Sequence, residues 1–182
     1  GWSFPIGALD KSQILLTLIA NDTASPHITL PSGIEAGDLI IVAVAAQASD
    51  EDNPNTTDPA GFTRILEVAG EAGGQRAARM HIYYKIAAGN EDNTQLQIQT
   101  DSNDARASFY QVWRPSQPIG TVTALGATGD LTQGDPDERV ISNAPPWTLA
   151  LALYMGANTG SVSIASRTFS PTEDNEMLQS DA

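Results

Sequence analysis

Residues 38–47, D-L-I-I-V-A-V-A-A-Q, constrain the fold more than any other stretch. The run is short, almost continuously apolar and β-branched at Ile40, Ile41, Val42 and Val44. Turn chemistry precedes it at Pro31-Ser32-Gly33 and Ala36-Gly37, and an acidic loop over residues 49–59 follows. An apolar run of this length between turn signals predicts a strand covered on both faces, a central strand of a packed sheet. The rest of the chain then has to supply strands that pair with it or layers that cover it.

The remaining stretches predict such strands. Residues 13–19 (Q-I-L-L-T-L-I) and 27–30 lead into the turn before residue 38. Residues 61–69 follow the acidic loop, and Gly70–Gly74 is a glycine-rich turn. Residues 76–87 alternate, with Met80, Ile82, Tyr84 and Ile86 on one face and Arg79, His81, Tyr83 and Lys85 on the other. That period of two predicts a half-buried strand whose second face is solvated or makes contacts. Residues 95–100 (Q-L-Q-I-Q-T) alternate cleanly, and residues 105–114 form another strand before Pro115. Residues 121–125 and 161–165 predict short strands, and 147–155 (W-T-L-A-L-A-L-Y-M) a second central strand facing the first.

Strand, Gly/Asn/Asp turn and strand again at intervals of roughly ten residues is the pattern of an antiparallel sandwich. The expectation is all-β: a jelly-roll-like antiparallel β-sandwich over residues 11–166. Residues 1–10 are expected as a docking arm carrying Trp2, Phe4 and Ile6, without the basic, apolar and small-residue order of a signal peptide. Residues 167–182 have no period and predict an irregular segment, so the closing strands are expected beyond this chain or shared with a neighbour.

Charge narrows the partners. Nine Lys and Arg stand against twenty-two Asp and Glu, a net charge of −13. Phosphate binding needs a basic footprint, so nucleic acid is not an expected partner. Anionic membrane surfaces are disfavoured for the same reason, and no stretch approaches the ~18 consecutive apolar residues of a membrane span. Solvation is the simplest use of such a surface; a basic partner, a salty medium or cation binding are the others. With no cysteine, disulfides and thiolate metal sites are excluded.

Chemistry-bearing patterns are sparse. His27 and His81 lie outside any H-x-H or H-x-x-x-H spacing and read as ordinary strand histidines. There is no G-x-S-x-G and no P-loop, although triad members can be distant in sequence. No carboxylate pair stands out for glycoside hydrolysis. The expectation is a chain that is not an enzyme and carries no cofactor. Two acidic loops supply hard oxygen ligands for Ca²⁺: Asp50, Glu51, Asp52 and Asn53 with Asp58, and Asp135 and Asp137 with Glu138. Neither has the spacing of an EF-hand, and solvated loops are the simpler reading. Trp113 and Trp147 sit in strand contexts and are expected in the core. Tyr83 with its neighbour His81, and Trp2 on the arm, are the candidates for contact with a glycan or a neighbouring subunit.

Four phrases carry a family resemblance: L-P-S-G-I-E-A-G-D-L-I-I-V-A-V-A-A, D-P-A-G-F-T-R-I-L, Y-Y-K-I-A-A-G-N-E and F-Y-Q-V-W-R. Together, over residues 30–114, they resemble β-sandwich modules in structural proteins of tailed bacteriophages and prophages. Those modules carry a GD-apolar strand, a P-x-G-[FW]-T entry, a Y-Y-K-x-A strand and a strand closing on an aromatic and Arg. The resemblance implies a virion part, a head decoration, spike or tail fibre component, that assembles with other virion proteins. It implies a homo-oligomer with closed symmetry, a trimer favoured, that also touches host glycans if it sits at the tail. The other class of function weighed is a carbohydrate-binding module for attachment to glycans, and a third is a Ca²⁺-stabilised adhesive domain.

Overall fold

The computed structural model describes residues 16–24, 27–47, 56–72, 76–98, 105–120, 122, 150–158, 161–171 and 177–180. Within them the chain is all β, with no helix. The strands are β1 (Leu16–Ala24), β2 (Ile28–Thr29), β3 (Leu39–Gln47), β4 (Thr63–Ala72) and β5 (Arg76–Ile86). They continue with β6 (Gln95–Leu96), β7 (Ala105–Pro115), β8 (Ala150–Asn158), β9 (Ser161–Pro171) and β10 (Met177–Ser180).

Five of them form one antiparallel sheet in the order β1-β7-β3-β5-β4. β3, which holds the apolar run of residues 39–46, is its middle strand. Its residues Leu39 to Ala46 are all buried, because alternate side chains enter different cores. Ile40, Val42 and Val44 join Tyr83, Tyr110 and Val112 on one face, under Ile28, Leu30, Ile34, Leu96 and Ile98. The short antiparallel pair β2–β6 thus covers this face. On the other face, Ala43 packs with Met80, Ala107 and Phe109, while Leu39 and Ile41 pack with Trp113. The alternation expected in β5 holds there, since Ile82, Tyr84 and Ile86 border these two clusters.

Both outer strands carry an irregularity. The β1–β7 register slips between Leu18 and Ala20, and the β4–β5 register slips between Arg64 and Leu66. Such bulges twist an edge away from unwanted pairing. Leu18 and Ile19, at 39% and 37% exposure, are the exposed large hydrophobic residues among those described.

A second antiparallel sheet has the order β10-β9-β8. The backbone of β9 comes close to β7 and β3. Two expectations change here. The apolar run 147–155 contributes to β8, an edge strand of the smaller sheet, and β9 is the strand between two partners. Composition alone cannot distinguish those positions, because both kinds of strand can be apolar. Residues 167–182, expected as irregular, instead hold the end of β9 and all of β10, which pair from Met177↔Pro171 to Ser180↔Thr168. Cross-strand hydrogen bonds stabilise them without any hydrophobic period. The expected strand at 121–125 and the expected arm lie outside the described residues, apart from Val122.

Candidate functional site

Two polar clusters lie at different places on the five-stranded sheet. The first joins three stretches distant in sequence, residues 33–38, residues 85–92 and Arg114. Gly33 and Gly37, at φ of +86° and +95°, let the chain between β2 and β3 turn back on itself. Asp38, at the end of that turn, is buried and accepts hydrogen bonds from Glu35 N (2.8 Å), Arg114 Nε (2.9 Å) and Arg114 Nη2 (2.9 Å). The same guanidinium donates to Gly33 O (2.9 Å) and pairs with Glu35 Oε1 (2.9 Å). Burial works to raise the Asp38 carboxyl, but the bonds from Arg114 and Glu35 prevail and hold it below its ordinary 3.8.

The turn after β5 docks onto this one. Ala87 N donates to Asp38 O (2.8 Å), and Gly37 N donates to Ala87 O (2.9 Å). Asp92 accepts from Gly33 N (3.1 Å) and Ile34 N (2.8 Å). Beside it Glu91 folds into its own turn, accepting from the backbone N–H of Ala88 (3.0 Å), Gly89 (2.9 Å) and Asn90 (3.0 Å). Lys85 Nζ adds a fourth donor at 2.8 Å. Burial would raise the Glu91 carboxyl, yet these donors outweigh it and bring it down to about 2. Ahead of β4, Pro59 O accepts from Phe62 N (3.0 Å) while Gly61 takes φ of +79°. Every charged group of this cluster holds backbone or another charge.

The second cluster lies where β4 and β5 meet residues 56–59. The register sets Arg64 opposite Tyr83 and Glu67 opposite His81. Thr56 Oγ1 sits between the last two aromatic side chains, 2.6 Å from His81 Nδ1 and 2.8 Å from the Tyr83 hydroxyl. His81 Nε2 lies 3.5 Å from Glu67 Oε2, and neither it nor Arg79 Nε has a hydrogen-bond partner. Arg79 pairs with Glu67 (2.9 Å), and Arg64 binds Glu67 (3.1 Å) and Asp58. The Arg64 guanidinium also stands 5.6 Å from the centroid of the Tyr83 ring.

Burial pushes the His81 imidazole below its ordinary 6.5. Arg64 and Arg79 act in the same direction, against the opposing pull of Glu67 and Asp58. Burial raises the Tyr83 phenol, partly offset by Thr56 and Arg64. Glu67 facing Nε2 favours the neutral tautomer protonated there, in which Nδ1 accepts from the Thr56 hydroxyl; in the other tautomer Nδ1 donates to it.

This geometry corrects one expectation. Tyr83 and His81, the expected contact residues on a solvated strand face, are each 0% exposed. The alternation was right, but the face is roofed by residues 56–62 and by β2–β6, which a strand pattern by itself does not reveal. A Tyr83 ring buried in this way offers no surface for a sugar. Asp58, one of the candidate Ca²⁺ ligands, is bonded to Arg64 and held below its ordinary 3.8: burial would raise it, but bonds from Arg64 and Tyr83 prevail. Asp50, Asp52, Asp135 and Asp137 lie outside the described residues, as do Trp2, Phe4, Ile6 and Trp147. Among the described residues no group of three or more His, Asp and Glu is arranged to hold a metal ion. Trp113 is buried in the core, its Nε1 donating to Gln111 Oε1 at 3.0 Å.

Thr56, Arg64, Glu67 and Arg79 were not singled out from the sequence. The bulge between Arg64 and Leu66 brings Arg64 and Glu67 to the same face, and strict alternation would have separated them. The chain matches no protein-family model, no curated protein and no solved structure.

Proposed function

We propose that the chain is a non-enzymatic structural module of a tailed-phage particle, a head decoration, spike or tail fibre component. It acts by assembling with itself and with other virion proteins. The observation that supports this reading most is how the four resembling phrases are used. They come from distant parts of the chain, yet they meet: Arg114 binds Asp38, Ala87 exchanges backbone bonds with Gly37 and Asp38, and Thr63 pairs with Tyr84 in the β4–β5 ladder. Residues held in this way define a scaffold and leave their charges bound to each other. A family signature made of such residues marks a shared fold, as expected for modules that function by shape.

In this reading β8–β10 form the second layer of a sandwich, approaching the main sheet through β9. Assembly uses the apolar arm of Trp2, Phe4 and Ile6, and the exposed Leu18 and Ile19 of edge strand β1 offer further apolar surface. The net charge of −13 keeps the rest of the surface solvated. A closed trimer suits a fibre or a decoration knob.

The test is peptide mass spectrometry of purified particles from the source, combined with antibody-gold labelling in the electron microscope. Label at regular positions on the head or along the tail is expected. Absence of the chain from every particle overturns the reading.

A further inference from the structure

We propose that β1 is a self-docking edge, where two copies of the chain pair β1 antiparallel to β1 about a two-fold axis near Leu18 and Ile19. The self-assembly proposed above is the reading on which this rests, and β1 is the edge assigned to it. Among the described residues β1 has β7 on one side and no strand on the other. Its nine residues therefore present backbone donors and acceptors to a further strand. Thr17, Leu18, Ile19, Asn21 and Asp22 are all exposed. Ile19, at the slip between Leu18 and Ala20, has no opposite residue in β7.

Charge identifies the occupant. Both outer strands of the sheet carry a bulge, so the bulges do not distinguish them. β4 carries Arg64, Glu67 and Glu71 along its length, the usual guard of an edge against pairing. β1 carries a single charge, Asp22, and residues 12–21 carry none. A strand rich in Lys or Arg finds only that one carboxylate to pair with here, so a basic partner gains little at this edge. A second copy, itself at −13, is repelled wherever acidic surface meets acidic surface, and least along this strand.

The same charge selects the direction. In a parallel pair in register the two Asp22 carboxylates stand about 5 Å apart. In the antiparallel pair each lies between three and four residues from the axis, which separates them by about 23 Å. That is well beyond the ~8 Å screening length at physiological salt. The antiparallel pair also sets Leu18 and Ile19, the exposed large hydrophobic residues among those described, beside those of the other copy. Alone the contact gives two copies; combined with the three-fold arrangement favoured above it gives six.

The experiment is sedimentation equilibrium of the intact chain, its Leu18→Lys and Ile19→Lys variants, and disulfide mapping with single-cysteine variants of a chain that has no cysteine of its own. Wild type is expected to hold an even number of copies, and each lysine, set beside its own copy near the axis, is expected to halve that number. Leu18→Cys or Ile19→Cys is expected to cross-link to a dimer under mild oxidation, since cross-strand positions near the axis fall within the ~4.4–6.8 Å between Cα atoms that a disulfide spans. Asp22→Cys is expected to stay single. A single-copy wild type, an odd-numbered assembly, or lysine variants that keep the wild-type number overturn the proposal. Asp22→Cys cross-linking as readily as positions 18 and 19, the mark of a parallel pair, overturns it too. If the lysine variants do not fold, the cysteine series decides. A single-copy chain that is found in particles overturns the edge alone, and an even-numbered assembly that is absent from every particle overturns the particle reading alone.

Discussion

Glu91→Gln separates charge from shape at the turn after β5. The wild-type carboxylate accepts from three successive backbone amides and from Lys85, and it is buried. A carboxyl held at about 2 in place of the usual 4.5 contributes about 3 kcal/mol at neutral pH, at roughly 1.4 kcal/mol per pH decade. Gln has the same size but turns an NH₂ group toward donors, which leaves at least one amide without an acceptor. Urea unfolding at pH 7 is expected to show the variant about 3 kcal/mol less stable, with an unchanged slope against denaturant. The folded carboxylate has a lowered value, so its contribution is present above pH 4.5 and lost as pH falls toward 2. The gap between the two proteins is therefore expected to shrink to roughly half by pH 3. A gap that stays constant with pH, or one below about 1 kcal/mol at pH 7, refutes the reasoning that charge-assisted bonds organise this turn.

Two further substitutions probe the same end of the sheet. Gly89→Ala forces an L side chain to φ of +88° and sets its Cβ 3.1 Å from Ala36 N, across the docking of the two turns; a loss of about 1–3 kcal/mol in urea unfolding is expected. Asp38→Asn removes the charge from a buried carboxylate that Arg114 grips with two nitrogens. It is expected to cost about 2 kcal/mol at pH 7, and the gap to wild type narrows as pH falls below 3.8, where the carboxyl of the unfolded chain begins to take up protons.

The centre of the fold was legible because burial on both faces leaves a direct imprint on composition. Residues 39–46 read as a middle strand, and β3 is the middle strand. The alternation of β5 correctly separated its two faces. It failed to say which face is covered, because the roof over His81 and Tyr83 comes from residues 56–62 and from β2–β6, distant in sequence. Thr56 carries no local signal at all, being one polar residue at the end of a polar loop. Arg64 and Glu67 share a face only because the β4–β5 register slips between them, and a bulge is invisible to a strict period of two. β10 escaped notice for a related reason. A short paired strand with no apolar period is held by backbone hydrogen bonds that any sequence can make.

The two polar clusters respond to acid with opposite thresholds, and the cause lies in what each buries. At the Asp38–Glu91 end the buried groups are carboxylates surrounded by donors, and the bonds they accept outweigh burial and favour the ionised state down to low pH. At the β4–β5 face the buried group is an imidazole beside two arginines, so burial and charge favour the neutral state, and that contribution begins to fall as pH drops below 6.5, above the range in which the carboxylates respond.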